Sequence, residues 1–267
     1  MKKLLVLFSF ILFFQSILLT GVSASEIVVR DDLRNHFQGF TGTFVMYDPS
    51  QDMYTIYNQE QAQKRLSPCS TFKIFNSLIG LETGVLDSED VYTLINWNGK
   101  KHDFPNWNRD HTLASATQES VVWYFQELAA RIGQERMQEY LNKIGYGNQD
   151  ISGGLTTFWL RSSLKISALE QVDLLTKLYD SQLPFSATAR STVLKNITLS
   201  DTNGVKLLGK TGSGFQDGKW ILGWFVGYIE NQGKVYVVAT NIEGPDGAIG
   251  GKAREITKAI AKDFNLL

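Results

Sequence analysis

Segments with the alternating pattern of β-strands lie near both ends of this 267-residue chain, whereas segments with helical periodicity occupy its middle. Apolar residues at every second position are typical of a half-buried strand, and a spacing of three and four is typical of a helix. The strand-like segments are Thr41–Tyr47, Met53–Tyr57, Lys206–Gly209, Trp220–Ile229 and Val235–Ile242. Because a strand needs neighbours for its backbone hydrogen bonds, the two groups must pair with each other. The sequence therefore predicts one antiparallel sheet assembled from both chain termini.

The middle of the chain predicts a helical lobe inserted into that sheet. Helical segments start at Ser70, Val121, Glu135, Leu169 and Lys252. Gly80 and Gly84 lie where the first helix should end, and the last helix would flank the sheet. We predict an α+β fold with a sheet lobe of about residues 25–65 and 197–267 and an all-helical lobe of about residues 66–196. A cleft is expected where the two lobes meet.

The first 24 residues have the pattern of a signal peptide. A basic start, Met1–Lys3, precedes the apolar run Leu4–Leu19, and small residues end at Ala24. We predict cleavage after Ala24, which leaves residues 25–267 as a single domain that is secreted or held in the cell-envelope space. The alternative is an uncleaved anchor, for which the run is slightly short. No cysteine lies near this site, so a lipid-modified cysteine anchor is excluded.

Charge and residue usage exclude several classes of protein. Residues 1–24 hold two lysines and no acid, so the net charge of −1 becomes −3 in the mature chain, which does not suit nucleic acid as a partner. The single cysteine, Cys69, cannot form an internal disulfide. His36, His102 and His111 form no His-x-His pair, so no metal site is expected. The oligomeric state is not encoded in any such pattern, and a monomer is the simpler expectation.

Ser70-Thr71-Phe72-Lys73 is the first candidate catalytic motif. Three residues make nearly one helical turn, so the hydroxyl and the amine face the same direction. A neutral, desolvated lysine can remove the serine proton, and a helix N-terminus favours developing negative charge. The motif alone is weak evidence, because Ser162–Lys165 matches it as well. The competing interpretation of Ser70 is an ordinary helix N-cap.

Two further elements accompany the motif in an informative order. Ser120 stands at the start of a predicted helix, and Lys210-Thr211-Gly212 follows a predicted strand. Enzymes that recognise penicillin place three such elements around one cleft. Taken singly, Ser120 could be another N-cap and the Lys-Thr-Gly sequence a turn at a strand end.

Motifs of other enzyme classes are either absent from the sequence or stand among residues that do not suit them. Gly204–Thr211 matches the phosphate-loop pattern, but its inner residues are strand-like and Gly212-Ser213-Gly214 follows in place of a helix. Export would also remove the protein from ATP. No Gly-x-Ser-x-Gly occurs, which argues against an α/β-hydrolase. Cys69 has no histidine nearby and is expected to pack under the helix rather than to act as a nucleophile.

With these motifs in order, the chain resembles the class D (oxacillinase-type) serine β-lactamases, of the penicillin-recognising serine enzyme superfamily, from about Phe40 to Lys262. The additional motifs that carry the resemblance are Ser67–Lys73, Trp107–His111, Ser120–Tyr124, Tyr146–Asn148, Ile151–Gly154, Phe158–Leu160, Lys210–Gly212 and Gly223-Trp224. Many separated motifs in one order are a specific signal.

The resemblance implies an unusual state of Lys73. In class D enzymes the equivalent lysine takes up carbon dioxide and becomes N6-carboxylysine, which is the general base for acylation and deacylation. Carbon dioxide or bicarbonate is then the only small molecule required besides the substrate, and no cofactor or metal is needed. A carbamate forms from a neutral amine, so an apolar pocket is required. Phe72, Val122 and Leu160 are the predicted lining, and the indole N–H of Trp159 is the predicted donor to the carbamate; alone, Trp159 would be a plain core aromatic.

Further roles follow from the same resemblance. Ser120, assisted by Lys210, would pass a proton to the lactam nitrogen, and the backbone N–H groups of Ser70 and Ser213 would form the oxyanion hole. Thr211 and Arg254 would bind the substrate carboxylate. For Arg254 a solvated surface position is a fair alternative, because its flanking residues match the family poorly.

The expected function is therefore hydrolysis of penicillin-type β-lactams through a serine acyl-enzyme, giving antibiotic resistance. The alternative is a relative that deacylates slowly, either a penicillin-binding protein or the β-lactam sensor domain of a membrane receptor. Sensors carry this domain behind several membrane spans, and this chain has one N-terminal apolar run. Val122 and the Phe158-Trp159-Leu160 motif also favour the enzyme.

Overall fold

A computed structural model describes residues 25–267, and the predicted signal peptide lies outside this range. Within it, seven strands form one sheet in the order β1-β3-β2-β7-β6-β5-β4. Their bounds are β1 Glu26–Val29, β2 Thr41–Asp48, β3 Met53–Tyr57, β4 Thr198–Thr202, β5 Val205–Gln216, β6 Lys219–Asn231 and β7 Lys234–Glu243. Strands β2 and β7 pair in the middle of the sheet, Phe44 opposite Thr240. The prediction of a sheet built from both termini is confirmed.

One edge of the sheet differs from the expectation. Strand β1 pairs in parallel with β3, Ile27 opposite Tyr54, so the sheet is mixed rather than wholly antiparallel. The remaining neighbours are antiparallel. A four-residue edge strand has no alternation of buried and exposed positions long enough to be recognised in the sequence.

Eight α-helices belong to the described part of the chain. Their bounds are α1 Gln59–Gln63, α2 Lys73–Glu82, α3 Leu113–Gln118, α4 Val122–Ile132, α5 Gln134–Ile144, α6 Ala168–Tyr179, α7 Ala187–Asn196 and α8 Gly250–Asp263. The first helical segment begins as a 3-10 turn at Cys69 and becomes an α-helix at Lys73. It runs through Gly80 and ends at Glu82, between the two glycines that mark its predicted end, and Gly84 follows with φ +68°. Gly80 instead lets α2 pack closely on Leu128 of α4.

The sheet is covered on both faces. Neighbouring residues of a central strand point to opposite faces, so Phe44 packs under α8 while Val45 packs toward the helical lobe. The same division separates Phe225 from Trp224 on β6. This double burial explains why the central strands are almost continuously apolar. No helix within residues 25–267 is both long enough and apolar enough to cross a membrane.

Strands β5 and β6 approach closely at one point, and this fixes β5 against the sheet. A Cβ added to Gly227 of β6 would overlap the carbonyl oxygen of Leu208 and the Cα of Gly209 on β5. The two glycines lie opposite each other in the strand register. Because the obstructing atoms are backbone, a side chain here would push β5 outward.

We therefore expect Gly227→Ala to lower the free energy of unfolding by about 1–3 kcal/mol through overpacking. Gly251→Ala is the matched control: it lies in the first turn of α8 with its nearest neighbour at 3.7 Å and should stabilise the protein by about 0.5–1 kcal/mol. Urea-unfolding midpoints check both signs, and equal effects of the two substitutions would contradict the steric argument.

Candidate active site

Ser70 lies in the 3-10 turn that leads into α2. Cys69 has the left-handed φ of +51°, and its N–H donates to the carbonyl oxygen of Trp159 at 3.0 Å. The turn is thereby tied to the segment that carries the predicted carbamate donor. Ser70 itself is half-buried, so its hydroxyl stays within reach of a ligand.

The amine of Lys73 is the centre of the site. The side chain is fully buried, and its Nζ lies 3.1 Å from Ser70 Oγ and 2.9 Å from Ser120 Oγ, with the Ser120 carbonyl oxygen as a third partner. Burial, followed by the charge of Lys210, lowers the pKa of Lys73 well below its ordinary value. The nitrogen also lies 5.3 Å from the centre of the Phe125 ring. The arrangement places an amine whose neutral form is favoured by burial in contact with the candidate nucleophile.

Ser120 connects the two lysines of the site. It occupies the short connection between α3 and α4 with φ +57°, and its hydroxyl lies 2.9 Å from Nζ of both Lys73 and Lys210. A hydroxyl held between two nitrogens can receive a proton from one partner and donate its own to another. This chain of polar atoms leads from Ser70 through Lys73 to Lys210.

Lys210 lies within β5 rather than after it. The strand is continuous from Val205 to Gln216, so the glycine of the Lys-Thr-Gly motif does not end it. The strand geometry also contradicts a phosphate loop. The Lys210 amine is buried, and this desolvation together with the charge of Arg254 lowers its pKa to about 7.

A cavity of about 340 Å³ opens beside Lys210. Thr211 and Arg254 line it as well, and Arg254 projects there from the second turn of α8. Its other lining residues are Thr117, Gln118, Asn196, Ile197, Thr198, Leu199 and Gly209. The structure thus brings the two predicted carboxylate-binding residues to one cavity with Lys210, and Arg254 is not a solvated surface residue remote from the cleft.

Strand β5 passes directly beside the nucleophile. A Cβ on Gly212 would lie 2.8 Å from the carbonyl oxygen of Pro68 and 3.2 Å from the amide nitrogen of Ser70. A glycine at this position is therefore required for the approach. Ser213, the predicted second donor of the oxyanion hole, follows on the same strand, and its hydroxyl accepts the N–H of Gly250 at 2.9 Å. The start of α8 is thus fastened to β5 at the site.

Of the four residues predicted to form the carbamate pocket, Phe72 and Trp159 pack against each other. Phe72 and Trp159 are fully buried, with ring centres 5.7 Å apart, while Val122 and Leu160 are only partly buried. The indole Nε1 of Trp159 is buried and has no hydrogen-bond partner among the described residues. Sequence reasoning missed Phe125, whose position on the apolar stripe of α4 marks it as buried but does not reveal that it faces a lysine.

The second Ser-x-x-Lys sequence does not form a comparable pair. Lys165 Nζ donates to Ser67 Oγ at 2.9 Å, while the Ser162 hydroxyl donates to the Gly153 carbonyl oxygen at 3.4 Å. Cys69 is buried, and desolvation raises the pKa of its thiol to about 12, which leaves it unreactive. Across residues 25–267, no three His, Cys, Asp or Glu side chains are grouped so that they could hold a metal ion.

Comparisons with known proteins agree with this geometry. The model of the penicillin binding protein transpeptidase domain matches residues 42–264. The probable β-lactamase YbxI of Bacillus subtilis is 42% identical over 90% of this chain and 87% of its own. The structure of the class D β-lactamase BAT-2 matches with a TM-score of 0.83 at 42% identity, covering 88% of this chain and 96% of that one.

A sensor protein is also similar. The C-terminal domain of the Bacillus licheniformis BlaR penicillin receptor matches with a TM-score of 0.87 at 35% identity, over 92% of this chain and 99% of that domain. The whole regulatory protein BlaR1 of that organism is 38% identical over 87% of this chain, which spans 39% of its length. The chain belongs to the penicillin-binding protein transpeptidase domain family. Within that family it is a serine enzyme of the class D β-lactamase type.

The buried Lys210 amine makes stability depend on pH. Its pKa is about 7 in the folded protein and roughly 10.4 in an unfolded chain, so between these values the unfolded state binds more protons and the free energy of unfolding rises with pH. Below this window the amine is charged in both states and contributes no slope. We expect Lys210→Met to flatten the rise, as measured by urea unfolding at a series of pH values from about 7 to 10. An unchanged slope would assign the effect to another group.

Proposed function

We propose that this protein hydrolyses the β-lactam amide of penicillin-type antibiotics through an acyl-enzyme on Ser70, with Lys73 as a carboxylated general base. The observation that carries the proposal is the Lys73 amine, which is fully buried and 3.1 Å from Ser70 Oγ. An ordinary lysine in solution is protonated and cannot accept a proton. Desolvation here favours the neutral amine, which is the form that reacts with carbon dioxide.

The residues around Lys73 fit a carbamate. A carbamate is an anion, and an anion in an apolar pocket needs hydrogen-bond donors. Trp159 Nε1 is a buried donor that has no acceptor among the described residues, and the Ser70 hydroxyl is a second donor at the mouth of the pocket. The group, when present, supplies a base that can act on Ser70 and later on a water molecule. Trp159, with Phe72, Val122 and Leu160 around it, would hold it.

The chain's own residues account for the acylation step. Ser70 Oγ attacks the lactam carbonyl carbon and loses its proton to the base at Lys73, while the backbone N–H groups of Ser70 and Ser213 stabilise the oxyanion. As the carbon–nitrogen bond breaks, the Ser120 hydroxyl gives its proton to the lactam nitrogen and is resupplied from Lys210. Water then cleaves the Ser70 ester and releases the penicilloic-type acid.

The cavity beside Lys210 suits the carboxylate that penicillins carry. Thr211 and Arg254 line it, and a guanidinium can form two parallel hydrogen bonds to a carboxylate. The positive charge that lowers the Lys210 pKa is that of Arg254, so an anion bound between them relieves a repulsion. Substrate binding would therefore restore Lys210 as a proton donor.

A slowly deacylating sensor remains the second candidate, because the BlaR domain resembles this fold with a TM-score of 0.87. Both candidates require acylation of Ser70. They differ in whether a base remains to activate water once the ester has formed, and the unpaired donor of Trp159 favours the enzyme.

The carbamate can be tested directly. We expect a carbon-13 carbamate resonance after addition of labelled bicarbonate and its absence in Lys73→Ala. Acid should abolish the signal, since carbamates lose carbon dioxide on protonation, and bicarbonate should restore hydrolysis of a chromogenic cephalosporin. Trp159→Phe keeps the ring but removes the donor, so the signal should weaken and the acyl-enzyme should accumulate in intact-mass spectra.

Two controls complete this test. Trp224→Phe removes a buried indole N–H that donates to the Ser67 carbonyl oxygen at 3.0 Å and should leave the carbamate signal intact. Ser70→Ala should form no acyl adduct. Acylation without a resonance, together with turnover that ignores bicarbonate, would reject the carboxylated base and favour the sensor-like or penicillin-binding alternative.

Arg254→Ala tests the carboxylate site. Losing the guanidinium should cost about 2 kcal/mol of substrate binding, so KM should rise roughly 30-fold while kcat changes little. Lys258→Ala removes an exposed cation of the same helix and should leave KM unchanged. Equal kinetics of Arg254→Ala and the unmodified enzyme would mean that another group holds the carboxylate.

We further propose that the mature protein begins after Ala24 and acts as an exported monomer. N-terminal sequencing and sedimentation of the exported protein test these two points, and a retained Met1–Ala24 segment would overturn the first.

A further inference from the structure

The segment between Ile95 and His111 forms a closed loop over the start of α4, and we name residues 97–110 the clasp. Its two ends are joined by backbone hydrogen bonds, Ile95 N to His111 O at 2.9 Å and His111 N to Ile95 O at 3.2 Å. Inside it, Asn108 accepts the His102 N–H at 2.8 Å and donates to the His102 carbonyl oxygen at 3.0 Å. Hydrogen bonds thus close the clasp at its two ends and also join His102 to Asn108 inside it.

The clasp holds the residue that precedes Ser120 by both its backbone and its side chain. The indole Nε1 of Trp107 donates to the Glu119 carbonyl oxygen at 3.1 Å. The guanidinium of Arg109 donates to Glu119 Oε1 at 2.7 Å. Helix α4 in turn binds the clasp, because Trp123 Nε1 donates to the Trp107 carbonyl oxygen at 2.8 Å. The Glu119–Ser120 peptide group is therefore fixed from outside the catalytic cleft.

Ser120 depends on such support because of its conformation. A serine with φ +57° is in a region that non-glycine residues adopt only when the surroundings hold them there. The start of α4 has no side-chain cap that could do so. In this conformation the Ser120 hydroxyl and carbonyl oxygens both meet Lys73 Nζ, and the hydroxyl also meets Lys210. A relaxed backbone would separate these atoms.

The carboxylate of Glu119 makes the arrangement dependent on Arg109. Its Oε2 is buried and has no hydrogen-bond partner in the described part of the chain, so the charge is compensated through Oε1 and Arg109. If the guanidinium is lost, this carboxylate loses its hydrogen-bonded partner and the segment that carries it loses one of its two links to the clasp.

We propose that Trp107 and Arg109 are positioning residues that hold Ser120 for proton transfer to the leaving nitrogen. The inference rests on the proposed function only in requiring acylation of Ser70, not in requiring a carboxylated Lys73. Neither residue need touch the substrate for this role, and both act through Glu119.

The first test compares two indoles of the same loop. Trp107→Phe keeps the aromatic ring and removes the donor to Glu119. Trp97→Phe removes an indole N–H that donates to the Lys100 carbonyl oxygen at 2.8 Å, without contact to Glu119. In stopped-flow acylation by a fluorescent penicillin, the maximal rate constant of Trp107→Phe should fall about 10-fold or more, as for a misplaced acid–base group. The apparent binding constant should stay unchanged, and Trp97→Phe should behave like the unmodified protein.

The second test uses the ion pair. Arg109→Gln should lower the maximal acylation rate about 10-fold, Arg109→Lys should restore part of it, and Arg109→Gln with Glu119→Gln should exceed the single variant, because no stranded carboxylate remains. Arg131→Gln removes a similarly exposed arginine paired with Glu127 on α4 and is the control. Melting temperatures should differ little, since exposed pairs add little stability.

The outcomes separate the two proposals. Reduced maximal acylation with unchanged binding, rescue by lysine and recovery in the double variant support the positioning role. Acylation that matches the unmodified protein in Trp107→Phe and Arg109→Gln overturns it, as does a loss that follows the melting temperature alone. Failure of the carboxylated base appears instead in deacylation and bicarbonate dependence, with the acylation differences intact.

Discussion

The burial of a lysine amine beside a serine hydroxyl is the constraint on which this structure depends. An isolated charge cannot be moved from water into a protein core without a cost of several kcal/mol, so burial lowers the pKa of Lys73 and favours its neutral form. That form is both a base and a nucleophile toward carbon dioxide. Keeping it neutral requires apolar surroundings such as the nearby Phe125 ring, and keeping it hydrogen-bonded requires Ser70 and Ser120 at its end. The chemistry of the site follows because the Lys73 amine has both an apolar environment and hydrogen-bond partners.

The architecture places these groups on independent elements. Ser70 and Lys73 come from the start of α2, Ser120 from the α3–α4 connection, and Lys210 from β5. The helical lobe and the sheet meet at these residues. Gly212 has no side chain, so the turn that carries Ser70 can pack directly on β5, and Gly227 in the same way lets β6 pack closely on β5. The cleft is consequently part of the packing between the lobes.

The sequence was informative where pattern and local geometry coincide. The predicted bounds of strands β2, β3, β6 and β7 and the predicted starts of helices α4, α5 and α6 lie within one or two residues of the observed ones, because each element has a clear apolar period. Strand β5 was predicted to stop at Gly209 and continues to Gln216, since its glycines are typical of turns but serve here for close approach. Helix α7, with its polar and weakly periodic sequence, was missed. The contact between Lys73 and Phe125 depends on how α2 packs against α4, and the spacing of residues in the sequence does not reveal such a contact.

Similarity to both hydrolases and a sensor domain has a physical explanation in this site. Acylation needs a nucleophile, a proton acceptor and an oxyanion hole, and these can be shared by every member that forms a serine ester. Under the proposed mechanism, turnover also needs a base that is still anionic after the ester has formed, and that base depends on hydrogen-bond donors in an apolar pocket. The unpaired indole N–H of Trp159 is the donor that the proposal assigns to this base. Under that proposal, changes around this donor would slow deacylation while leaving the fold in place, and sequence identity near 40% with both groups agrees with one fold serving both.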